Sequence, residues 1–309
     1  MKLYIATLVA LFFVFGIFTI SNILESFQNE KIQNKHLNIF PQKGIYSTRW
    51  TVRAAGINDL IHIADETEIN TLVIDVKDSG VYLGDYIKNL VDELHQKNIY
   101  TVARIVVFQD DSQITNHPDW YFKKDDGTLW QDKKGLYWFD PENKEVWDFN
   151  VSIAKETIDA GFDEINFDYI RYPAFIKDED VDFPPSPTAS AGKSSYISKS
   201  ITINEFSQYL TSELKKYDPG IKLSIDIFAY SMLRTDDLKV GQKLVELYNY
   251  FDYVCPMIYP SHYLPGNFGF ANPADYPYEV VLKTIENGKA QLGEKDLKKL
   301  RPWIQDFNI

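Results

Sequence analysis

Acidic side chains at the ends of apolar runs are the features of this sequence that point most directly to chemistry. In EINFDYI (164–170), Ile165, Phe167 and Tyr169 fall on one face of a strand and Asn166 and Asp168 on the other, because strand side chains alternate with period two. KLSIDIFAY (222–230) repeats the pattern, with Leu223, Ile225 and Ile227 opposing Ser224, Asp226 and Phe228. In TLVIDVK (71–77), Asp75 shares a face with Val73 and Lys77; in YTVARIVVF (100–108), Arg104 sits among apolar residues. LRPWIQDF (300–307) puts Trp303 and Gln305 on one face with Asp306 at the tip. A carboxylate turned inward from a buried strand needs a partner or a task. Two or three of them at one site suit hydrolysis of an acetal. An ionised group attacks or stabilises the anomeric carbon, and a protonated one gives its proton to the leaving oxygen. Burial and mutual repulsion raise one pKa, while Arg104 or Arg171 keeps the other group ionised.

These considerations make Asp168 the candidate nucleophile or base and Asp226 or Asp306 the candidate acid. Arg104 and Arg171 are expected to orient the carboxylates, and Asp75 and Asp78 to act as positioning groups paired to Lys77 or Arg104. The plain alternatives are a structural salt bridge between Asp168 and Arg171, and a buttressing role for Asp226. Tyr46, Tyr259, His262 and Trp303 are candidate sugar contacts, with Asp75, Arg104, Arg171 and Gln305 completing the substrate-binding set, since apolar sugar faces stack on aromatic rings while hydroxyls meet carboxylates and amides. Trp120, Trp130 and Trp138 cluster in one loop. Each alone suits packing better than a sugar platform; their clustering favours the platform.

Other chemistries find little footing. The five histidines show no H-E-x-x-H or comparable ligand spacing, so no metal or other cofactor is expected. No G-x-S-x-G exists. AGKSS (191–195) ends like a phosphate-binding loop, but Pro187 stands where the first glycine must be, so nucleotide binding is not expected. The single cysteine, Cys255, lies in an apolar run and reads as a buried structural thiol. A formal charge of −12 lacks the basic stripe of a nucleic-acid binder.

The elements that must position these residues alternate. Strand-like runs at 43–48, 71–77, 100–108, 164–170, 222–230, 253–259 and 300–307 are separated by segments of helical periodicity such as INDLIHIADETEI and YIKNLVDELHQKNI. This predicts a parallel α/β architecture, a (β/α)8 TIM-type barrel, with Asp75, Arg104, Asp168, Asp226 and Gln305 pointing into the lumen near the carboxyl ends of the strands. An eighth strand is not found, and the expectation is a truncated chain. Residues 3–20 are uncharged and long enough to span a bilayer with their flanks, which predicts a signal-anchor helix over 1–20, a stalk over 21–40 and the barrel over 41–309. The sparse charges flanking the span place the barrel outside the cytoplasm. Segment 172–200 is an aperiodic excursion read as a surface loop, with a lid as the alternative.

KGIYST, VIDVKDSG, RIVVFQD, HPDWYFKKDDGTLW, GFDEINFDYIRYP, CPMIYPSHY and RPWIQDF, in that order, resemble a bacterial family of membrane-anchored, glycoside-hydrolase-like proteins long catalogued as a domain of unknown function. The resemblance covers residues 41–309. It implies a TIM barrel distantly related to α-amylase-like and other retaining glycosidases, with Asp168 as nucleophile and Asp306 as a third, transition-state-stabilising carboxylate. The strand-five position usually carries a glutamate acid and is Asp226 here, so the acid stays open between Asp226 and Asp306. The expectation is a glycoside hydrolase acting on a cell-envelope or extracellular polysaccharide; the alternative is a non-catalytic carbohydrate-binding barrel at the envelope.

Overall fold

The computed structural model describes residues 36–307 apart from 55, 79, 175–197, 294 and 296. Each predicted run contributes one strand: β1 (Gly44–Ser47), β2 (Thr71–Lys77), β3 (Tyr100–Val106), β4 (Glu164–Asp168), β5 (Lys222–Phe228), β6 (Tyr253–Ile258) and β7 (Trp303–Ile304). They form one parallel sheet in the order β1-β2-β3-β4-β5-β6-β7. The helices are α1 (Arg49–Arg53), α2 (Gly56–Glu66), α3 (Asp85–Gln96), α4 (Lys144–Asp159), α5 (Lys199–Tyr217), α6 (Leu244–Leu247) and α7 (Pro277–Leu292).

Strand parity divides the core as the sequence requires. Leu72, Ile74, Val76, Ala103, Ile105, Ile165, Phe167, Leu223, Ile225 and Ile227 are buried on the outer face of the sheet, in one cluster with the inner stripes of the helices. In α3 that stripe is Ile87, Leu90, Val91 and Leu94, the spacing of one helical face. Gly161 makes the turn from α4 into β4 at φ +100, a conformation that costs glycine little and other residues more. The opposite face curls inward until the Tyr46 ring of β1 meets the Trp303 ring of β7 edge-on, with centroids 6.5 Å apart. Among the described residues no backbone pairing joins β1 to β7, so the sheet is a curled seven-stranded half-barrel.

Below the lumen, Leu37 and Ile39 pack on Val73, Tyr100 and Val102, and the Leu37 amide donates to Asp163 Oδ1 at 2.7 Å. The last residues of the expected stalk thus close the amino-terminal end of the sheet. Residues 3–20, AGKSS and most of segment 172–200 lie outside the described residues; among those described, no helix is long and apolar enough to cross a membrane.

Two local expectations are corrected. β7 covers two residues rather than the eight of 300–307, because Pro302 has no N–H to donate and Gln305 turns to the preceding loop. Lys77 does not share the lumen with Asp75. A register irregularity between Asp75 and Lys77 turns Lys77 to the outer side, where its Nζ pairs with Asp110 Oδ2 at 2.6 Å and donates to the Val106 carbonyl at 2.5 Å.

Candidate active site

The inward residues near the carboxyl ends of the strands form a ring of contacts around the curl. Tyr46 on β1 donates its hydroxyl to Asp75 Oδ2 on β2. Arg104 on β3 bridges, Nη1 to Asp75 Oδ1 at 2.7 Å and Nη2 to Asp168 Oδ2 on β4 at 2.5 Å. One step down β4, Asn166 donates to Asp226 Oδ1 on β5 at 2.9 Å, and Trp303 Nε1 on β7 donates to the same oxygen at 2.7 Å. The Trp303 ring then returns to Tyr46. β6 reaches the rim through Tyr259, whose phenol is pushed up first by burial and then by the charges of Asp226 and Asp168.

Two carboxylates of this ring sit in unlike settings. Asp168 is ion-paired with Arg104, and its Oδ1 accepts the Tyr169 amide at 2.7 Å. Burial works against the Arg104 cation, but Asp168, Asp75 and Asp226 outweigh it and hold the guanidinium well above its ordinary pKa. Asp226 is buried and forms no ion pair among the described residues; burial and the nearby Asp168 charge push it up to about 7, against the pull of Arg104 and its two hydrogen bonds. Both donors bind Oδ1, and Oδ2 has no hydrogen-bond partner among the described residues. The backbone is strained at this point: Tyr169, directly after Asp168, has φ +57, which is rare away from glycine and asparagine.

β4 and β5 pair in register, with Asn166 opposite Ser224 and Phe167 opposite Ile225, so Asp168 and Asp226 continue the ladder as neighbours on one face. Adjacent strands lie about 4.8 Å apart.

The expected residues divide into two groups. Tyr46, Asp75, Arg104, Asp168, Asp226 and Trp303 converge, and Tyr259 joins them at the rim. His262 is exposed beside Tyr259, the rings 5.3 Å apart. Gln305 is corrected: its Oε1 accepts the Ser261 amide at 3.2 Å and its Nε2 donates to the Phe307 carbonyl at 3.1 Å, so it latches two loops and does not enter the lumen. Asp306 is exposed at the end of β7 and makes no hydrogen bond or ion pair among the described residues. Arg171 is also corrected. Arg104, not Arg171, pairs with Asp168, while Arg171 lies among Trp138, Tyr169 and Phe228 and donates to the Tyr172 carbonyl at 3.1 Å. Asp78 accepts from Tyr82 at 2.6 Å and approaches Arg49 at 3.7 Å, and its charge also favours the Lys77 cation. Trp120, Trp130 and Trp138 are buried and serve packing.

Sequence reasoning passed over Asn166 and the layer beneath it. There Glu164 is fully buried and ion-paired with Arg301, and it accepts Ser224 Oγ at 2.5 Å and the Tyr100 hydroxyl at 3.1 Å. The same parity that selected Asp168 places Asn166 and Glu164 on the lumen face, so that signal was available. Among the described residues no group of His, Cys, Asp and Glu side chains is arranged to hold a metal ion.

Comparison with known proteins places these features in context. A family model described as "Putative glycosyl hydrolase domain" matches residues 82–309. The crystal structure of a hypothetical protein from Ruminiclostridium thermocellum ATCC 27405 is 32% identical over 59% of this chain and 96% of that one, with a TM-score of 0.50. An α-galactosidase from Thermus thermophilus, solved in complex with stachyose, is similar at 12% identity over 86% of this chain and 54% of that one, with a TM-score of 0.52. A β-galactosidase from Bacillus circulans sp. alkalophilus is similar at 14% identity over 77% and 42%, with a TM-score of 0.53. At these identities the two galactosidases share the fold alone, and the chain spans about half of their length. No curated protein matches the sequence.

Proposed function

We propose that this chain, which belongs to the glycosyl hydrolase family matched over residues 82–309, cleaves O-glycosidic bonds of a polysaccharide with the carboxylate pair Asp168 and Asp226. The observation that carries the reading is the pairing of unlike acids on adjacent, in-register strands: Asp168 held by Arg104, and Asp226 buried, in no ion pair among the described residues, and pushed up to about 7. A non-catalytic sugar-binding barrel has no need for two carboxylates in such unlike settings.

In the first step the Asp168 carboxylate attacks the anomeric carbon as the bond to the leaving oxygen breaks. The proton on Asp226, carried by the unpartnered Oδ2, passes to that oxygen. In the second step the ionised Asp226 takes a proton from water, the water oxygen attacks the same carbon, and Asp168 is released. This is the retaining scheme, which needs carboxyl groups ~5–5.5 Å apart rather than the ~6.5–9.5 Å of inversion, and adjacent strands, about 4.8 Å apart, can bring them that close. Arg104 neutralises Asp168 and positions it against Asp75. Tyr46, Tyr259, Trp303 and the exposed His262 contact the sugar. Asp306 has no step in this scheme.

The test is hydrolysis of a glycan panel by the full chain and by Asp168→Asn, with the anomer of the first product read by NMR. Cleavage by wild type with retained configuration, lost in the variant, is expected. A wild type that binds glycans and cleaves none would make it a binding module.

The uncharged stretch 3–20 supports a single-pass anchor with the barrel outside the cytoplasm and a cell-envelope or extracellular polysaccharide as substrate. Membrane fractionation with protease accessibility of intact cells tests this; a protected, wash-released protein contradicts it.

A further inference from the structure

Arg171 is nine-tenths buried at the mouth of the curled sheet, three residues past Asp168. Its guanidinium lies 4.8, 4.7 and 4.6 Å from the ring centroids of Trp138, Tyr169 and Phe228. A guanidinium has five N–H donors. Here one protein hydrogen bond is made, from Nη1 to the Tyr172 carbonyl, and no carboxylate forms an ion pair with it among the described residues. Its other nitrogens are not among the sealed, unpartnered atoms of the interior, so they reach solvent. Asp132, the other acid that acts on it, already accepts Trp138 Nε1 at 3.1 Å and two backbone amides. Burial pulls the guanidinium below its ordinary pKa, the mark of a cation lacking its counter-charge.

A planar cation walled by aromatic faces, with free donors at its edge and the Asp168 carboxylate nearby, fits a planar anion. We propose that Arg171 receives a carboxylate on the glycan, so that the substrate is an acidic, uronate-type polysaccharide with its charged sugar next to the bond that is cleaved. The inference rests on the hydrolase reading and names its substrate class. Arg104 is shared by Asp75 and Asp168, and Arg171 has no ion pair of its own among the described residues, so it is the cation left for a substrate anion.

The full chain is assayed on uronate polymers (pectate, alginate, hyaluronan and glucuronoxylan), each paired with its carboxyl-reduced neutral form, and on sulfated neutral glycans. Expected is at least a tenfold preference in kcat/KM for one native polymer over its reduced form. That preference should fall to about onefold in Arg171→Gln and be partly kept in Arg171→Lys, with the far-UV spectrum unchanged. Equal or faster cleavage of reduced forms, stronger cleavage of sulfated glycans, or a preference that survives Arg171→Gln overturns the proposal and leaves the hydrolase reading intact. If no polymer is cleaved, affinity electrophoresis of Asp168→Asn through the same polymers decides it. Retardation by a native polymer and not by its reduced form upholds the acidic ligand while the hydrolase reading falls. No selective retardation overturns the proposal, as does a wild type preferring neutral glycans, which alone keeps the test open should both Arg171 variants fail to fold.

Discussion

Asp168 and Asp226 carry the same functional group on neighbouring strands, in unlike surroundings. Arg104 pairs with Asp168, while Asp226, buried, accepts from the neutral donors Asn166 and Trp303 and forms no ion pair among the described residues. Two outcomes follow at this scale. The folded chain prefers Asp226 protonated, so its contribution to stability is complete below about pH 4 and is lost as pH rises through about 7. Asp140, also pushed up to about 7 by burial, gives a decline of the same sign, so the difference between wild type and Asp226→Asn isolates Asp226. Thermal unfolding across pH 4–8 should show a shallower decline in the variant; parallel curves would contradict the assignment. In kinetics, kcat/KM of wild type should fall as pH rises through about 7. Asp226→Asn should lose that limb together with roughly 10²–10⁴ in rate.

Among the elements, two buried ion pairs hold strands where the site needs them. Lys77 and Asp110 tie the irregular end of β2 to the loop after β3, and both side chains are fully buried. Removing one partner leaves a lone buried charge, which costs about 3–5 kcal/mol. Lys77→Met is therefore expected to lose stability on that scale in urea unfolding, and Lys77→Met with Asp110→Leu to recover a good part of it. β7 pairs with β6 through two residue pairs and a bridge from Leu300 to Val254, and the Glu164–Arg301 pair in the lumen floor adds to its hold. Arg301→Met should free β7, withdraw the Trp303 hydrogen bond that holds the Asp226 pKa down, and so raise the pH of the alkaline limb. A limb left in place would show that the backbone pairing suffices.

For the whole molecule, strand parity made much of the site legible before any coordinates. Seven apolar runs became seven parallel strands, and the outer faces of β2, β4 and β5 pack on helices. Asp75, Arg104, Asp168 and Asp226 converge as that parity requires. What escaped parity has physical causes. A local register shift turned Lys77 outward, and period-two counting has no signal for such a shift. β7 ended before Gln305, so alternation no longer governed that residue. The positive φ of Tyr169 redirected the chain, which put Arg171 among aromatic rings instead of in an ion pair with Asp168. Trp120, Trp130 and Trp138 show that clustered tryptophans in a loop can be core, since sequence reports their proximity and not their exposure.

In the proposed mechanism Asp168 forms a bond to sugar while Asp226 supplies the proton. The direct measurement is mass spectrometry of the protein after reaction with 2-deoxy-2-fluoroglycosyl fluorides, followed by peptide mapping. A stoichiometric adduct on the peptide containing Asp168, absent from Asp168→Asn, is expected. An adduct on another carboxylate, or turnover with inverted products and no adduct at all, would contradict it.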